Sequence, residues 1–285
     1  MGGEWPLTAF TILGQAAVGL LVSAGIPLCF SGEAAGGGSG GGRTALVLAV
    51  LGLMAAATVL SFFHLHHPAR AYLALANVGT SWLSREILLE LVFTGTTALA
   101  GFCDWRGAGG PALVRALFLL SAAAGVLFLG AMSRLYMLPA VPAWRSSYTP
   151  ASFFLAAAVI GTSAAAVLFR LSPAASAWTR PLLAASIVSI AASFGGALLF
   201  APGHGLFAAR SVPSLRPRED GRAPLHALRL AALAAGSALL AAGLVERGAG
   251  RGGPGAPAAV IVGGFVLAAA GEVLGRVLFY RVGPQ

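Results

Sequence analysis

The sequence predicts an all-α, polytopic integral membrane bundle of eight transmembrane helices, and three observations carry that reading. Of 285 residues, 58% are hydrophobic and only 9% are charged, against about 25% charged in an ordinary soluble domain. Mean hydropathy is +0.85, so there is too little polar material to cover a soluble surface. The apolar residues also fall in continuous runs, and a helical span needs about 20 of them. Barrel strands would alternate instead.

The runs, in order, are Leu7–Phe30, Thr44–Leu65, Trp82–Phe102, Ala112–Leu138, Ser152–Leu171, Leu182–Ala201, Leu225–Val245 and Ala256–Phe279. The first is preceded by an acidic flank containing Glu4 and is too long for the apolar core of a secretory signal, so it reads as a retained span. Between the first two runs lies a tract of glycines and one serine from Gly36 to Gly42. It lacks the Gly-Lys-Ser/Thr of a phosphate loop and reads as a flexible connection. Paired small residues, Gly195-Gly196 in the sixth run and Gly263-Gly264 in the eighth, permit close helix packing. The longest gap, Pro202 to Pro224, is too short for a soluble domain. Residues 1–285 therefore read as a single transmembrane domain, with any chemistry inside the bundle or in another subunit.

The net charge of +9 comes from 18 basic residues, all arginine. They stand singly at the ends of apolar runs. The one cluster, Arg210, Arg216, Arg218 and Arg222, is diluted by Glu219 and Asp220, too thin a face for neutralising nucleic-acid phosphates. Cys29 and Cys103 have no metal-ligand spacing and read as small apolar filler. Two cysteines cannot ligate an iron–sulfur cluster, which takes about four thiolates. Loop arginines divide six to seven between the two faces, so the positive-inside rule gives no orientation. An even number of spans places both termini on one side.

Antiparallel threading brings the starts of odd runs and the ends of even runs to the side of the termini. That face collects His64, His66 and His67, then Arg85, Glu86 and Glu90, then Arg134 and Tyr136, and finally Glu272, Arg276 and Tyr280. Gln15 lies about two turns below it. Besides its other loop charges, the opposite face holds Cys103, Asp104, Arg106, Arg115 and Glu246. Ionisable groups inside spans cost at least about 2.5–3.5 kcal/mol each on insertion scales, which marks them as functional candidates. Glu272 and Arg276, four apart with the acid first, are expected to form a helical ion pair. Arg85 is expected to snorkel to the interface.

Glu86 opens the third run, and the connection from His66 to Leu83 returns the chain to the same face beside His64. A short helix is expected from Pro68 to about Asn77 or Gly79, with Tyr72, Leu73 and Leu75 on its apolar side, roofing a site over His64 and Glu86. A carboxylate and an imidazole under an apolar roof suit hydroquinone oxidation, which releases two electrons and two protons. The proton acceptors must titrate near working pH: histidine does so unaided, and a carboxyl is brought there by leaving water. The electrons need an acceptor that this chain lacks.

Two other classes compete. A haem b anchor is suggested by the histidines around His64, but no second helix offers a mid-span histidine as the other axial ligand. A transporter would show paired broken helices in matching halves, and no internal repeat is visible.

At these residues the sequence resembles the DMSO reductase anchor subunit (DmsC) family. The carrying segments are Glu4-Trp-Pro-Leu-Thr-Ala-Phe-Thr with Gly14-Gln15, Ser61-Phe-Phe-His64-Leu-His-His-Pro-Ala-Arg70-Ala and Val78-Gly-Thr-Ser-Trp-Leu-Ser-Arg-Glu86-Ile. They continue with Arg134-Leu-Tyr136, Val141-Pro-Ala-Trp144, Ser147-Tyr-Thr-Pro150 with Phe153-Phe154, and Gly271-Glu272-Val-Leu-Gly-Arg276-Val-Leu-Phe-Tyr280. The resemblance implies an eight-helix subunit of the bacterial inner membrane that anchors two soluble partners: an iron–sulfur subunit with four clusters and a catalytic subunit with a molybdenum (or tungsten) bis-pterin cofactor. It implies oxidation of bound menaquinol, without haem or metal in this chain and without activity of the chain alone. His64 and Glu86 match the family's quinol-serving histidine and glutamate. Where the family often has glycine or a small polar residue this sequence has His66 and His67, which leaves open which histidine contacts the quinol. Around the pair, Arg70 and Tyr72 are expected to shape the roof, and Gln15, Arg134, Tyr136, Glu272 and Arg276 to support the site.

Overall fold

A computed structural model describes residues 5–30, 40–63, 73, 75–139, 141–171, 176–200, 222–245 and 257–281. Among them lie eight helices long and apolar enough to cross a membrane, and no strand. Helix α1 runs from Trp5 to Phe30, α2 from Gly40 to Phe62, α3 from Trp82 to Arg106 and α4 from Gly110 to Leu135. Then follow α5 (Tyr148–Leu171), α6 (Ser176–Phe200), α7 (Arg222–Val245) and α8 (Ala258–Arg281). The predicted runs and these helices coincide, with their ends moved by a few residues.

The moved ends have local causes. Helix α4 stops at Leu135 rather than Leu138 because Pro139 lies ahead, and proline and its predecessor cannot continue the hydrogen-bond ladder. Tyr136 is thereby released from the helix into the following turn. Helix α5 starts at Tyr148, earlier than Ser152, through backbone bonds from Thr149 N–H to Ser146 and from Ala151 N–H to Ser147. Ser81 caps α3, its side chain accepting from the Ser84 N–H at 3.4 Å. At the other end Gly107 takes φ 63°, and its N–H and that of Ala108 bond back to Asp104 and Cys103. Only glycine adopts that conformation without strain.

Helix α1 is interrupted by a π-turn at Leu21–Gly25. Pro27 lies just beyond and has no N–H for the Ser23 carbonyl one turn earlier. The widened turn accommodates that missing donor. In the connection before α3, the expected helix from Pro68 falls largely outside the described residues. The described part shows 3-10 winding at 75–77, and Leu73 is exposed.

The helices group into two compact units, Met1–Leu135 and Tyr136–Gln285. In the first, α1 packs on α2, α2 on α3, α3 on α4 and α4 on α1, so that four up-and-down helices close a ring. The second repeats the scheme with α5 on α6, α6 on α7, α7 on α8 and α8 on α5. Each interior is filled by rings and branched chains: Phe10, Phe93 and Phe128 in the first unit, Phe153, Phe169, Leu183, Ile190 and Leu233 in the second. Large apolar side chains also point outward, among them Leu48, Leu99, Leu127 and Val188, the pattern of helices solvated by lipid rather than water. Arg43 of α2 and Asp104 of α3 form an ion pair at 2.8 Å near the helix ends.

Glycine sets the closest approaches. A Cβ on Gly236 of α7 would stand 2.9 Å from the Ala268 nitrogen and the Gly264 oxygen of α8, so these two backbones touch. A Cβ on Gly125 of α4 would press on Val18 and Phe93 at 3.0 and 3.1 Å.

Candidate functional site

In the first unit the polar residues gather around the start of α3. Glu86 lies in its second turn and is 3% exposed, and Glu90 follows one turn deeper at 9%. Neither carboxylate has an ion-pair partner among the described residues. Thr58, on α2, places its Oγ1 2.6 Å from Glu90 Oε1 and 2.9 Å from the Met54 carbonyl. Arg85 turns back to the preceding loop, donating from Nε to the Val78 carbonyl at 2.9 Å and from Nη2 to the Gly79 carbonyl at 2.6 Å. Its guanidinium also lies 4.5 Å over the Trp82 ring. Arg134, at the end of α4, is exposed and stands 5.6 Å over the same ring.

Gln15 is wholly buried in α1, and neither its amide oxygen nor its amide nitrogen has a hydrogen-bond partner among the described residues. Leaving such an amide unanswered costs about 1–3 kcal/mol per group. Buried polar groups of this kind are nearly always paired in folded proteins. His64, Arg70 and Tyr72, with His66 and His67, lie outside the described residues.

In the second unit the structure corrects one expectation. Glu272 does not pair with Arg276. Its Oε1 accepts from Ser193 Oγ of α6 at 2.5 Å, and its Oε2 lies 3.5 Å from Arg229 Nη2 of α7. Arg229 reaches it across Gly275, where a Cβ would come within 2.6 Å of the Arg229 Cζ. The missing side chain admits the guanidinium, which also donates to the Tyr148 hydroxyl at 3.4 Å. Arg276 instead lays its guanidinium 3.6 Å over the Phe153 ring, with Phe279 at 5.3 Å. It is 3% exposed, and its Nε and Nη1 have no hydrogen-bond partner among the described residues.

Tyr136 sits in an aromatic cluster with Trp144, Phe153, Phe279 and Tyr280, at ring distances of 5.4–5.8 Å. Trp144 stacks on Phe279 at 5.1 Å and donates its Nε1–H to the Phe279 carbonyl at 2.9 Å. The turn before α5 is thus locked to the end of α8. Sequence reasoning passed over Arg229, Ser193, Tyr148 and Thr58. Arg229 carried a readable signal, an ionisable group seven residues into a span, the same rule that selects Glu86.

Two bundles of four apolar helices, each enclosing charged side chains, define a multi-pass membrane protein with polar interior sites. The sequence profile of the DMSO reductase anchor subunit (DmsC) family matches residues 1–282, and the protein belongs to that family. It is 31% identical over 283 residues to the anaerobic dimethyl sulfoxide reductase chain YnfH of Escherichia coli (strain K12), covering 97% of this protein and 94% of that one. The C subunit of the anaerobic dimethyl sulfoxide reductase of the same organism is 30% identical over 156 residues, 53% of each sequence. Its namesake in Haemophilus influenzae (strain KW20 / Rd) is 31% identical over 159 residues, again 53% of each.

Proposed function

We propose that the protein is the quinol-oxidising membrane anchor of a DMSO-reductase-type molybdoenzyme complex. It takes electrons from menaquinol and hands them to the nearest iron–sulfur cluster of a soluble partner, which feeds a molybdopterin catalytic subunit. The bacterial relatives suit a place in the inner membrane, with the anchor inactive unless assembled. The observation that carries this reading is Glu86, a carboxylate buried at the start of α3 without an ion-pair partner among the described residues. It follows directly on the connection that bears His64. The unanswered amide of Gln15 fits a quinol oxygen, since it can either donate or accept.

In this reading Glu86 and His64 hydrogen-bond the quinol and accept its protons, while Arg70 and Tyr72 shape the roof. Arg85 and Arg134, packed on Trp82, hold the mouth of α3 in place. Glu272 and Tyr136 act by holding the second bundle together. Arg276, with two unanswered guanidinium nitrogens, is that unit's candidate for a polar ligand atom.

Glu86→Gln tests the reading. Assembly and reduction driven by an artificial dye donor should persist, while quinol-driven reduction stops. Wild-type quinol turnover in that variant would overturn it. Iron and molybdenum or tungsten on co-purifying soluble subunits would establish the partners separately.

A further inference from the structure

We propose that Glu90 and Thr58 form a proton-holding station one helical turn beneath Glu86, which empties Glu86 before the next quinol deprotonation it serves. The inference rests on the quinol reading above.

It starts from a hydrogen count. Thr58 Oγ1 lies within bonding distance of two oxygens, Glu90 Oε1 at 2.6 Å and the Met54 carbonyl at 2.9 Å. A hydroxyl carries a single hydrogen and two lone pairs. With Glu90 charged, that hydrogen points to the carboxylate. With Glu90 protonated, the carboxyl O–H donates to Thr58 Oγ1, and the threonine hydrogen swings to the Met54 carbonyl. Both arrangements are fully bonded, and they interconvert by rotation of one hydroxyl without moving a heavy atom.

The buried carboxylate of the second unit shows the contrast. Glu272 faces a guanidinium at 3.5 Å as well as a serine hydroxyl, an arrangement built around a fixed ion pair. Glu90 faces a hydroxyl and has no cation among the described residues. Glu86 precedes it by four residues on the same helical face, about 6 Å along the axis. No described side chain on α3 between them is polar. The spacing suits transfer through one water or a carboxyl rotation.

The step balances. A quinol O–H bond breaks as one electron leaves for the partner's iron–sulfur cluster, and the proton forms an O–H bond on the Glu86 carboxylate. That O–H bond then breaks as one forms on the Glu90 carboxylate, with no electron moved. Glu86 is charged again and ready for the next quinol deprotonation it serves.

The test uses the assembled complex in native membranes, with Glu90→Gln, Glu90→Asp, Thr58→Val and Glu86→Gln side by side. Glu90→Gln should cut quinol-driven turnover at least about tenfold, since positioned proton transfer supplies about 10²–10⁴-fold. Dye-driven activity and the KM for a soluble quinol analogue should not change, and Glu90→Asp should restore most of the rate. In infrared difference spectra of quinol oxidation, Glu90→Gln should remove one protonated-carboxyl band and Thr58→Val should shift it. Wild-type turnover and an unchanged band in Glu90→Gln, with Glu86→Gln inactive, overturn the station and leave the quinol reading standing. An active Glu86→Gln overturns the quinol reading itself. If Glu90→Gln fails to assemble, Thr58→Val decides, and an unshifted band there overturns the station.

Discussion

Ser193 gives its hydroxyl hydrogen to Glu272 across 2.5 Å, joining α6 to α8 over 79 residues of sequence. The same serine oxygen lies 3.5 Å from Arg229 Nη2, so three helices of the second bundle meet at one buried carboxylate. Glu272 and Arg229 have side chains only 3% and 6% exposed.

Breaking that group from one side should be far worse than removing it. Glu272→Leu leaves a buried guanidinium without its counter-charge, which costs about 3–5 kcal/mol, whereas an apolar pair of similar volume is often neutral. The expected order of thermal stability in detergent is wild type close to Arg229→Leu/Glu272→Leu, with both single variants well below. Equal stability of the single and double variants would show that the ion pair does not hold the bundle.

Gly236 and Gly275 carry separate expectations. Gly236→Ala drives a methyl into the α8 backbone at 2.9 Å, where nothing can move aside, and should cost about 1–3 kcal/mol. Gly275→Ala meets the Arg229 guanidinium at 2.6 Å and should pull it off Glu272. Gly52→Ala and Gly130→Ala meet nothing within 4 Å and serve as controls, with no loss of melting temperature.

Thr97 and Ser121 join α3 to α4 through a hydroxyl pair at 2.5 Å, wholly buried. A double-mutant cycle of Thr97→Val and Ser121→Ala should return a coupling of about 0.6 kcal/mol and no more than about 1.7, the range for interhelical bonds in membranes. Unfolding by titration with a denaturing detergent gives the four free energies required.

Trp144→Phe keeps a ring on Phe279 but removes the Nε1–H bond to the Phe279 carbonyl, worth about 0.5–1.5 kcal/mol net. Trp144→Ala also empties the stack and should cost about 3–5 kcal/mol. Melting temperatures should fall in that order, and equal losses would show that the ring packing contributes nothing.

The eight helices were legible because a span must be apolar along its whole length, a signal no local detail can hide. Their ends were less so: Pro139 stops α4 at Leu135, while α5 gains a first turn from loop residues with no apolar signature. The burial of Glu86 was legible from its position, since a carboxylate in a span has few places to go. The pairing of Glu272 was misread because sequence spacing offers only partners on the same helix. What decides is Gly275, whose bare backbone lets an arginine arrive from α7. The division into two four-helix rings left no trace in the sequence, because each ring is closed by contacts between distant spans rather than by a repeated motif.

The wide turn at Leu21–Gly25 also works as an indexing device. Each helical residue advances the backbone by about 100° around the axis, so one additional residue in a turn rotates everything on one side of it relative to the other. Gln15 lies before that turn and Cys29 after it, and both are buried. Deleting a single residue there would leave a span of nearly the same length and greasiness. It would nonetheless swing the Gln15 amide toward a different neighbour, so the compass bearing of that side chain is written six to ten residues away from it.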